Sequence, residues 1–414
     1  MRASEPIPMP AKRRSYPMAA HFLSAEGMIN WISGKERRMD FNLYFKSRQG
    51  EIINLLKELV QRESPTSDKK AVDACSAYLA EHFRKTGCRV TRIPQKTVGD
   101  FHLIEYPAKP DRDLDGEILI LTHADTVWPV GRIAKMPFYI SGEKIFGPGV
   151  LDMKAGLALA ALALRTLNAL NIRPSKKITI FVNSAEETGC DEARDLIAKQ
   201  AKRADKVLCL EPALPGGALK VQRKGRLCVR LEASGRSAHG GSPDKGVNAI
   251  EELLLQLRKV ARLKSKEISV NLGLIGGGEK ANVVPDKAWA VCDIRFWDSA
   301  QKAKVLAALR KLEPQTRGAK VRFVVESLTP PMEKTKASAR LFQDAKDIAA
   351  GLGLALESGK TGGGSDASIA AGLGIPTLDG LGPDGDGIHA DHEHVLLPSL
   401  VQRAALLVAL LQRL

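Results

Sequence analysis

Residues 118–126 read ILILTHADT, four large aliphatic residues and a threonine that run into His123 and Asp125. A continuous apolar run of this length marks a strand covered on both faces, as in a parallel sheet packed between helices. The run stops on a histidine and a carboxylate, so the strand delivers polar groups at its tip. Similar places recur along the chain. They are PGVLDMKAG (148–156) with Asp152, ITIFVNSAEETG (178–189) with Glu186 and Glu187, VLCLEP (207–212) with Glu211, and DGIHADHEH (386–394) with His389. Parallel strands that end together can gather such residues into one cluster, at the sheet edge where open α/β folds place their ligands. Mixed histidine and carboxylate donors suit zinc or a similar divalent ion, and the set points to metal-assisted hydrolysis.

Outward from 118–126, strand-like and helical segments alternate. Helical spacing covers 47–63 and 68–86, broken at Ser64-Pro65, with Ser67 or Asp68 suited to cap the second helix. Short β-rich runs follow at 88–93 and 102–106. The sequence then predicts a strand at 117–121, a helix at 155–170, a strand at 177–182, a helix at 191–202 and a strand at 206–210. The pattern changes near Leu219. A strand at 227–233, a helix at 246–263, strands at 268–275 and 287–295, a helix at 299–312 and a strand at 320–327 give the order β-α-β-β-α-β of a ferredoxin-like unit. Pro330-Pro331 marks its exit. The alternation then resumes with a helix at 338–351, a strand near 354–357, the glycine loop TGGGSDA (361–367), a strand at 375–378 and a helix at 398–411. The expected fold is therefore α/β, a mostly parallel sheet flanked by helices with an inserted ferredoxin-like domain. The expected division is an N-terminal tail at 1–45, a discontinuous catalytic domain at 46–221 and 332–414, and an inserted unit at 222–331. The tail lacks periodicity, and Met28 and Met39 are alternative starts.

Composition narrows the function classes. With 414 residues, 44% hydrophobic and 26% charged, the chain can bury a large core without cross-links. Its six cysteines are scattered without a CxxC pair, which argues against a disulfide framework or a thiolate zinc site and for a reducing, cytoplasmic setting. The net charge is +15, but the basic residues are dispersed and no nucleic-acid-binding signature accompanies them, so no nucleic-acid partner is expected. The charge can draw acidic small molecules toward a site. No apolar stretch reaches the roughly 20 residues of a membrane span.

Each motif alone has an ordinary explanation. An HxD can be a histidine hydrogen-bonded at a strand end, Glu186–Glu187 a solvated pair, Asp152 the cap of the following helix and Glu211 a loop acid. Their order and strand-end context together make the case. In that order the motifs resemble the dizinc exopeptidase and deacylase family that includes bacterial glutamate carboxypeptidase, acetylornithine deacetylase, succinyl-diaminopimelate desuccinylase and aminoacylase. The resemblance covers most of the chain after about residue 47. It implies that His123 and Glu211 hold one ion, Glu187 and His389 the other, and Asp152 bridges them. The ions are expected to be zinc, with cobalt or manganese as alternatives. Asp125 is placed to accept the free ring N–H of His123, and Glu186 to move protons without binding metal.

The same resemblance implies roles in the inserted unit, expected to make the homodimer. His239 in GRSAHGG would reach a dimer-related site and stabilise an oxyanion, while Asn282 in GGGEKANVVP and Arg295 in CDIR would contact substrate. A planar guanidinium matches a carboxylate, so the expected substrate is a small molecule or short peptide with a free carboxylate. Gly363 and Gly364 of TGGGSDA could present amides to that group, although the loop is equally a tight strand-to-helix turn. One departure is Met153, where the family often has a second aspartate. It keeps N-acyl-amino-acid deacylation beside glutamate-releasing carboxypeptidase. A basic binding protein without turnover is the alternative of another class.

Overall fold

The computed structural model describes residues 29–32, 36–107, 116–189 and 191–414. At its centre is a six-stranded sheet in the order Thr377–Leu378, Lys206–Cys209, Glu117–His123, Lys177–Asn183, Phe101–Glu105 and Arg89–Ile93. The first four run parallel and the last two are antiparallel. All seven residues of Glu117–His123 are buried, because alternate side chains enter different cores. Ile118 and Ile120 join one cluster with the helices Gln49–Gln61, Ala155–Ala169 and Leu397–Arg413. Leu119 and Leu121 join a second with Ile197 and Ala201 of Arg194–Ala201 and with Ile369 and Ala370. This two-sided burial is what the unbroken aliphatic run demands.

A separate four-stranded antiparallel sheet has the order Ser269–Gly277, Lys287–Phe296, Gly225–Ser234, Lys320–Thr329. With the helices Ala249–Ala261 and Ser299–Arg310 its elements follow one another as β-α-β-β-α-β. Gly225–Ser234 alternates buried and half-buried residues, the pattern of a sheet covered on one face. Asn248 and Asp298 cap the two helices through their side chains. Leu227, Val229, Leu231 and Leu253 belong to a core distinct from the two above.

Several expectations shift. The helix expected at 47–63 is two helices, Phe41–Ser47 and Gln49–Gln61, and the first lies in what was expected to be tail. Phe41, Tyr44 and Phe45 are buried in the main core, at the i, i+3, i+4 spacing of a helix face, and Asp40 caps it. The rest of the tail, Met28 included, falls outside the described residues apart from the strands Ile29–Ile32 and Glu36–Met39. The strand expected near 354–357 lies at Ser358–Thr361 and pairs with Leu219–Arg223, outside the main sheet. A small antiparallel sheet of Gly385–Asp386, His394–Leu396, Lys144–Phe146 and Tyr139–Ser141 was not expected, since strands of two or three residues carry too little alternation to see. Asp68 caps the helix Lys69–Lys85 as foreseen. The five described cysteines are unpaired. Among the described residues no helix is long and apolar enough to cross a membrane.

Candidate metal centre

The strand register sets the first geometry. His123 pairs with Asn183, and Leu121 with Cys209, so Lys177–Asn183 ends level with Glu117–His123 and Lys206–Cys209 ends two residues short of them. Beyond these ends the chain supplies Glu186 and Glu187 three and four residues after Asn183, and Glu211 two after Cys209. Asp152 comes from the turn leading into Ala155–Ala169. His389 comes from the loop between Gly385–Asp386 and His394–Leu396, and it holds a left-handed backbone, φ 61°, that few non-glycine residues adopt.

These side chains converge. His123 Nε2 lies 3.2 Å from Asp152 Oδ1 and 3.5 Å from Glu211 Oε1. His389 Nε2 lies 3.2 Å from Glu187 Oε2 and 3.5 Å from Asp152 Oδ2. Asp152 thus turns one oxygen to each histidine. Donor atoms of His123, Glu186 and Glu211 all fall within 4.8 Å of one another, as do those of His123, Asp152 and Glu187. Of the late histidines, His389 makes these contacts, whereas His394 is buried with its ring 5.1 Å from that of Phe146.

The donor set fits divalent cations. Tetrahedral zinc with ligands at about 2.0–2.1 Å holds neighbouring donor atoms about 3.3 Å apart, close to the four separations above. His123 Nδ1 faces Asp125, 3.0 Å from its backbone oxygen and 3.4 Å from Oδ1. A neutral ring that donates its one N–H there presents a bare lone pair at Nε2 to two carboxylates, an arrangement a cation completes. Glu187 Oε1 is buried with no hydrogen-bond partner. Its second oxygen is thus free for a metal.

Protonation reflects the same crowding. Burial alone would depress His123, but Asp125, Asp152 and Glu211 outweigh it and raise its pKa well above the ordinary value. Asp152 and Glu187 hold His389 at about 10. Glu186 is pushed well above the usual carboxylate range, first by desolvation and then by the charge of Glu211.

The carboxylate of Asp125 does more than expected. Besides facing His123, it accepts from the Thr66 hydroxyl at 2.7 Å and from the backbone N–H groups of Glu186 and Glu187, both at 3.2 Å. It therefore fixes a ligand ring and the turn that carries the paired glutamates. Glu393 was missed as a functional residue. It is fully buried, and its carboxylate accepts from the N–H groups of Gly149, Leu151 and Asp152 and from the Trp128 indole at 2.8–3.1 Å. Lys154, also missed, is 1% exposed and donates to the carbonyls of Leu59 and Arg62, which anchors the Asp152 turn to a helix end. The sequence carried no sign of either role, because Lys154 and Glu393 are set apart only by their burial and contacts. Glu393→Ala would leave three backbone N–H groups and an indole without their acceptor. A loss of about 3 kcal/mol or more is expected in denaturant unfolding, at about 1–3 kcal/mol per stranded donor. Wild-type stability would refute this anchoring.

The sites expected on the second sheet are not joined to this cluster. His239 is exposed, its Nδ1 accepts from the Gly241 N–H, and Gly240 N–H donates to the Asn282 carbonyl. Neither side chain bonds to the cluster among the described residues. Arg295 donates to Asp293 and, through Nη1, to the Gly362 carbonyl at 2.8 Å, which ties this sheet to the glycine loop. The carbonyls of Gly363 and Gly364 accept from Arg223.

An α/β sheet whose strand ends cage two sets of metal-ligating groups beside a high-pKa carboxyl defines a metallohydrolase. The sequence pattern of Peptidase family M20/M25/M40 matches residues 119–413. Carboxypeptidase G2 of Pseudomonas sp. (strain RS-16) is 31% identical over 382 residues, covering 87% of this chain and 89% of the relative. Succinyl-diaminopimelate desuccinylase 2 of Ruegeria sp. (strain TM1040) is 27% identical over 376 residues, covering 83% and 90%. The solved structure of aminopeptidase PepT from Bacillus cereus ATCC 10987 is similar with a TM-score of 0.70 at 26% identity, covering 88% of this chain and 98% of that one. The chain belongs to Peptidase family M20/M25/M40.

Proposed function

We propose that the protein hydrolyses an amide or peptide bond beside a free carboxylate and releases a C-terminal glutamate or similar amino acid. The observation that carries this is the double-facing Asp152, one oxygen toward each histidine. In this reading His123 and Glu211 hold one ion, Glu187 and His389 the second, and Asp152 both. Zinc fits the donor set best, with cobalt and manganese as alternatives. Bound divalent ions supply Lewis-acid polarisation of the scissile carbonyl and acidify water. Glu186 takes the proton of the attacking water and delivers it to the leaving amine, a task that suits a carboxyl of raised pKa. Asp125 keeps the His123 ring in register and the Glu186 backbone in place throughout.

Arg295, Asn282 and the loop at Gly363 and Gly364 are proposed to orient the substrate carboxylate. For Arg295 this means exchanging the Gly362 carbonyl for substrate. The similarity to a protein named Carboxypeptidase G2 supports glutamate release. Met153 after Asp152, and a relative named as a desuccinylase, favour N-acyl-amino-acid deacylation as the second reading. A panel of N-acyl amino acids and short acidic peptides, assayed after zinc, cobalt or manganese loading, separates the two. Hydrolysis of none of them would overturn both. A cytoplasmic setting fits the unpaired described cysteines.

Residues 222–331 are proposed to form an inserted dimerisation domain. Its edge strand Ser269–Gly277 exposes Leu272, Leu274 and Ile275, an apolar rim suited to a second copy. His239 would then serve the partner's site, which accounts for its distance from bonds to its own. Mixing Glu186→Gln subunits with His239→Ala subunits is expected to restore activity, because each heterodimer rebuilds one complete site. No recovery after demonstrated subunit exchange would overturn action across the dimer.

A further inference from the structure

A cleft of about 230 Å³ lies between the first turns of the helix Leu397–Arg413, the turn Pro215–Gly217 and the segment 353–356. None of the candidate metal ligands lines it. Arg403 does, although it is only 5% exposed, and it is the one charged residue of the lining. Two glycines make room for its head. Gly216 and Gly217 both hold φ 77°, and a Cβ on Gly217 would sit 3.2 Å from Arg403 Nη2.

The guanidinium is left short of partners. Nη2 donates to the Gly217 carbonyl. Nε and Nη1 make no hydrogen bond among the described residues, and neither is fully enclosed by protein, so both can be reached from the cleft. Asp384 is the nearby acid, but its two oxygens accept from the N–H groups of Gly216 and Gly385, both at 2.9 Å, and it acts on Arg403 through charge alone. Desolvation outweighs that charge and pushes the Arg403 pKa down to about 10. Ala355 and Leu356 also line the cleft, and their N–H groups make no hydrogen bond among the described residues. A buried cation with unused donors, beside a cleft without acidic lining, has the chemistry of an oxyanion receptor.

We propose that this cleft binds a small oxyanion, phosphate or carboxylate, through the Arg403 guanidinium. The planar fork matches two oxygens of either group. The cleft has room for the anion and several waters, at about 30 Å³ per water, and the net charge of +15 favours capture. The bound anion sits between two segments that follow candidate metal ligands. The turn Pro215–Gly217 comes after Glu211, and the helix Leu397–Arg413 comes after His389. Asp384 already stitches the two together, accepting from Gly216 N–H and donating its own N–H to Ser399 Oγ at 2.8 Å. The anion adds a second stitch on Arg403, so it stabilises the folded chain whatever the substrate.

Calorimetry and thermal unfolding of the metal-loaded chain, with sodium phosphate or sodium acetate at constant ionic strength, test this. Arg403→Gln removes the cation. Ala355→Glu places a carboxylate at an exposed position of the lining and leaves Arg403 intact. Wild type should bind at least one of the two anions and unfold at a higher temperature in its presence. The Kd should rise by roughly 30-fold in Arg403→Gln, as for truncating one partner of a buried charge pair, and the thermal shift should vanish. Anion held by the metal ions is common to all three proteins and does not alter the difference. The tighter of the two anions identifies the group the cleft selects. Unchanged affinity and thermal shift in folded Arg403→Gln would overturn the proposal, as would a wild type that binds neither anion beyond its metal ions. If Arg403→Gln does not fold, Ala355→Glu decides: weakened binding supports the site, and wild-type binding overturns it.

Discussion

Glu186→Gln is expected to retain two divalent ions per chain while turnover falls by roughly 10²–10⁴-fold, the usual worth of a positioned general base. The amide keeps the size and hydrogen-bonding shape of the carboxylate but cannot take a proton. Its backbone stays fixed, since the N–H that Asp125 accepts is untouched. The outcome is informative because a Glu186 oxygen also lies within ligand distance of His123 and Glu211. Elemental analysis with steady-state kinetics resolves the role. Full metal content with collapsed kcat assigns proton transfer, whereas loss of one ion assigns ligation. Unchanged turnover removes Glu186 from the chemistry altogether.

Removing the ions, or the aspartate between them, is expected to have an effect of similar size. Chelation should abolish hydrolysis and lower the unfolding midpoint, because ions that bind only the folded chain contribute about 2.7 kcal/mol at a hundredfold excess over Kd. Asp152→Ala should lose both ions, since its two oxygens face one histidine each and no other described carboxylate does so. A variant that keeps two ions and normal kcat would disprove the bridge. Loading should also respond to pH in a defined direction. In the metal-free chain His123 and His389 are raised above their ordinary pKa, His389 to about 10, so near neutrality an ion must displace their protons. Affinity should therefore rise with pH, by about tenfold per unit for each proton displaced, with protons released on binding. A flat profile would show that the histidines are not ligands.

Much of the main fold could be seen in the sequence, because long buried strands leave an unbroken aliphatic signal, and three of them lead into candidate site residues. His123, Glu187 and Glu211 follow such strands, whereas Asp152 lies in a turn before a helix and His389 in a loop between short strands, and the five converge. Other features left weaker traces. Helix Phe41–Ser47 packs by three aromatic residues at the correct spacing, but seven residues beside an aperiodic stretch do not stand out. The short sheet that carries the His389 loop is built from strands below the length at which alternation can be recognised. Glu393 anchors the Asp152 turn through its burial and direction, and neither quantity is written in residue type. The glycines of TGGGSDA suggested amides for a ligand. Arg223 instead takes their carbonyls, a contact between residues 140 and 141 positions apart that no local pattern encodes.

The clasp of Glu393 on the Asp152 backbone spans 241 positions. Its consequence concerns synthesis. A polypeptide still threading from the ribosome can complete its first strands and helices, yet the turn bearing Asp152 has no clamp, and the cluster no His389 imidazole, until the final segment emerges. The cluster of candidate ligands is therefore assembled only when this last segment has folded onto the sheet.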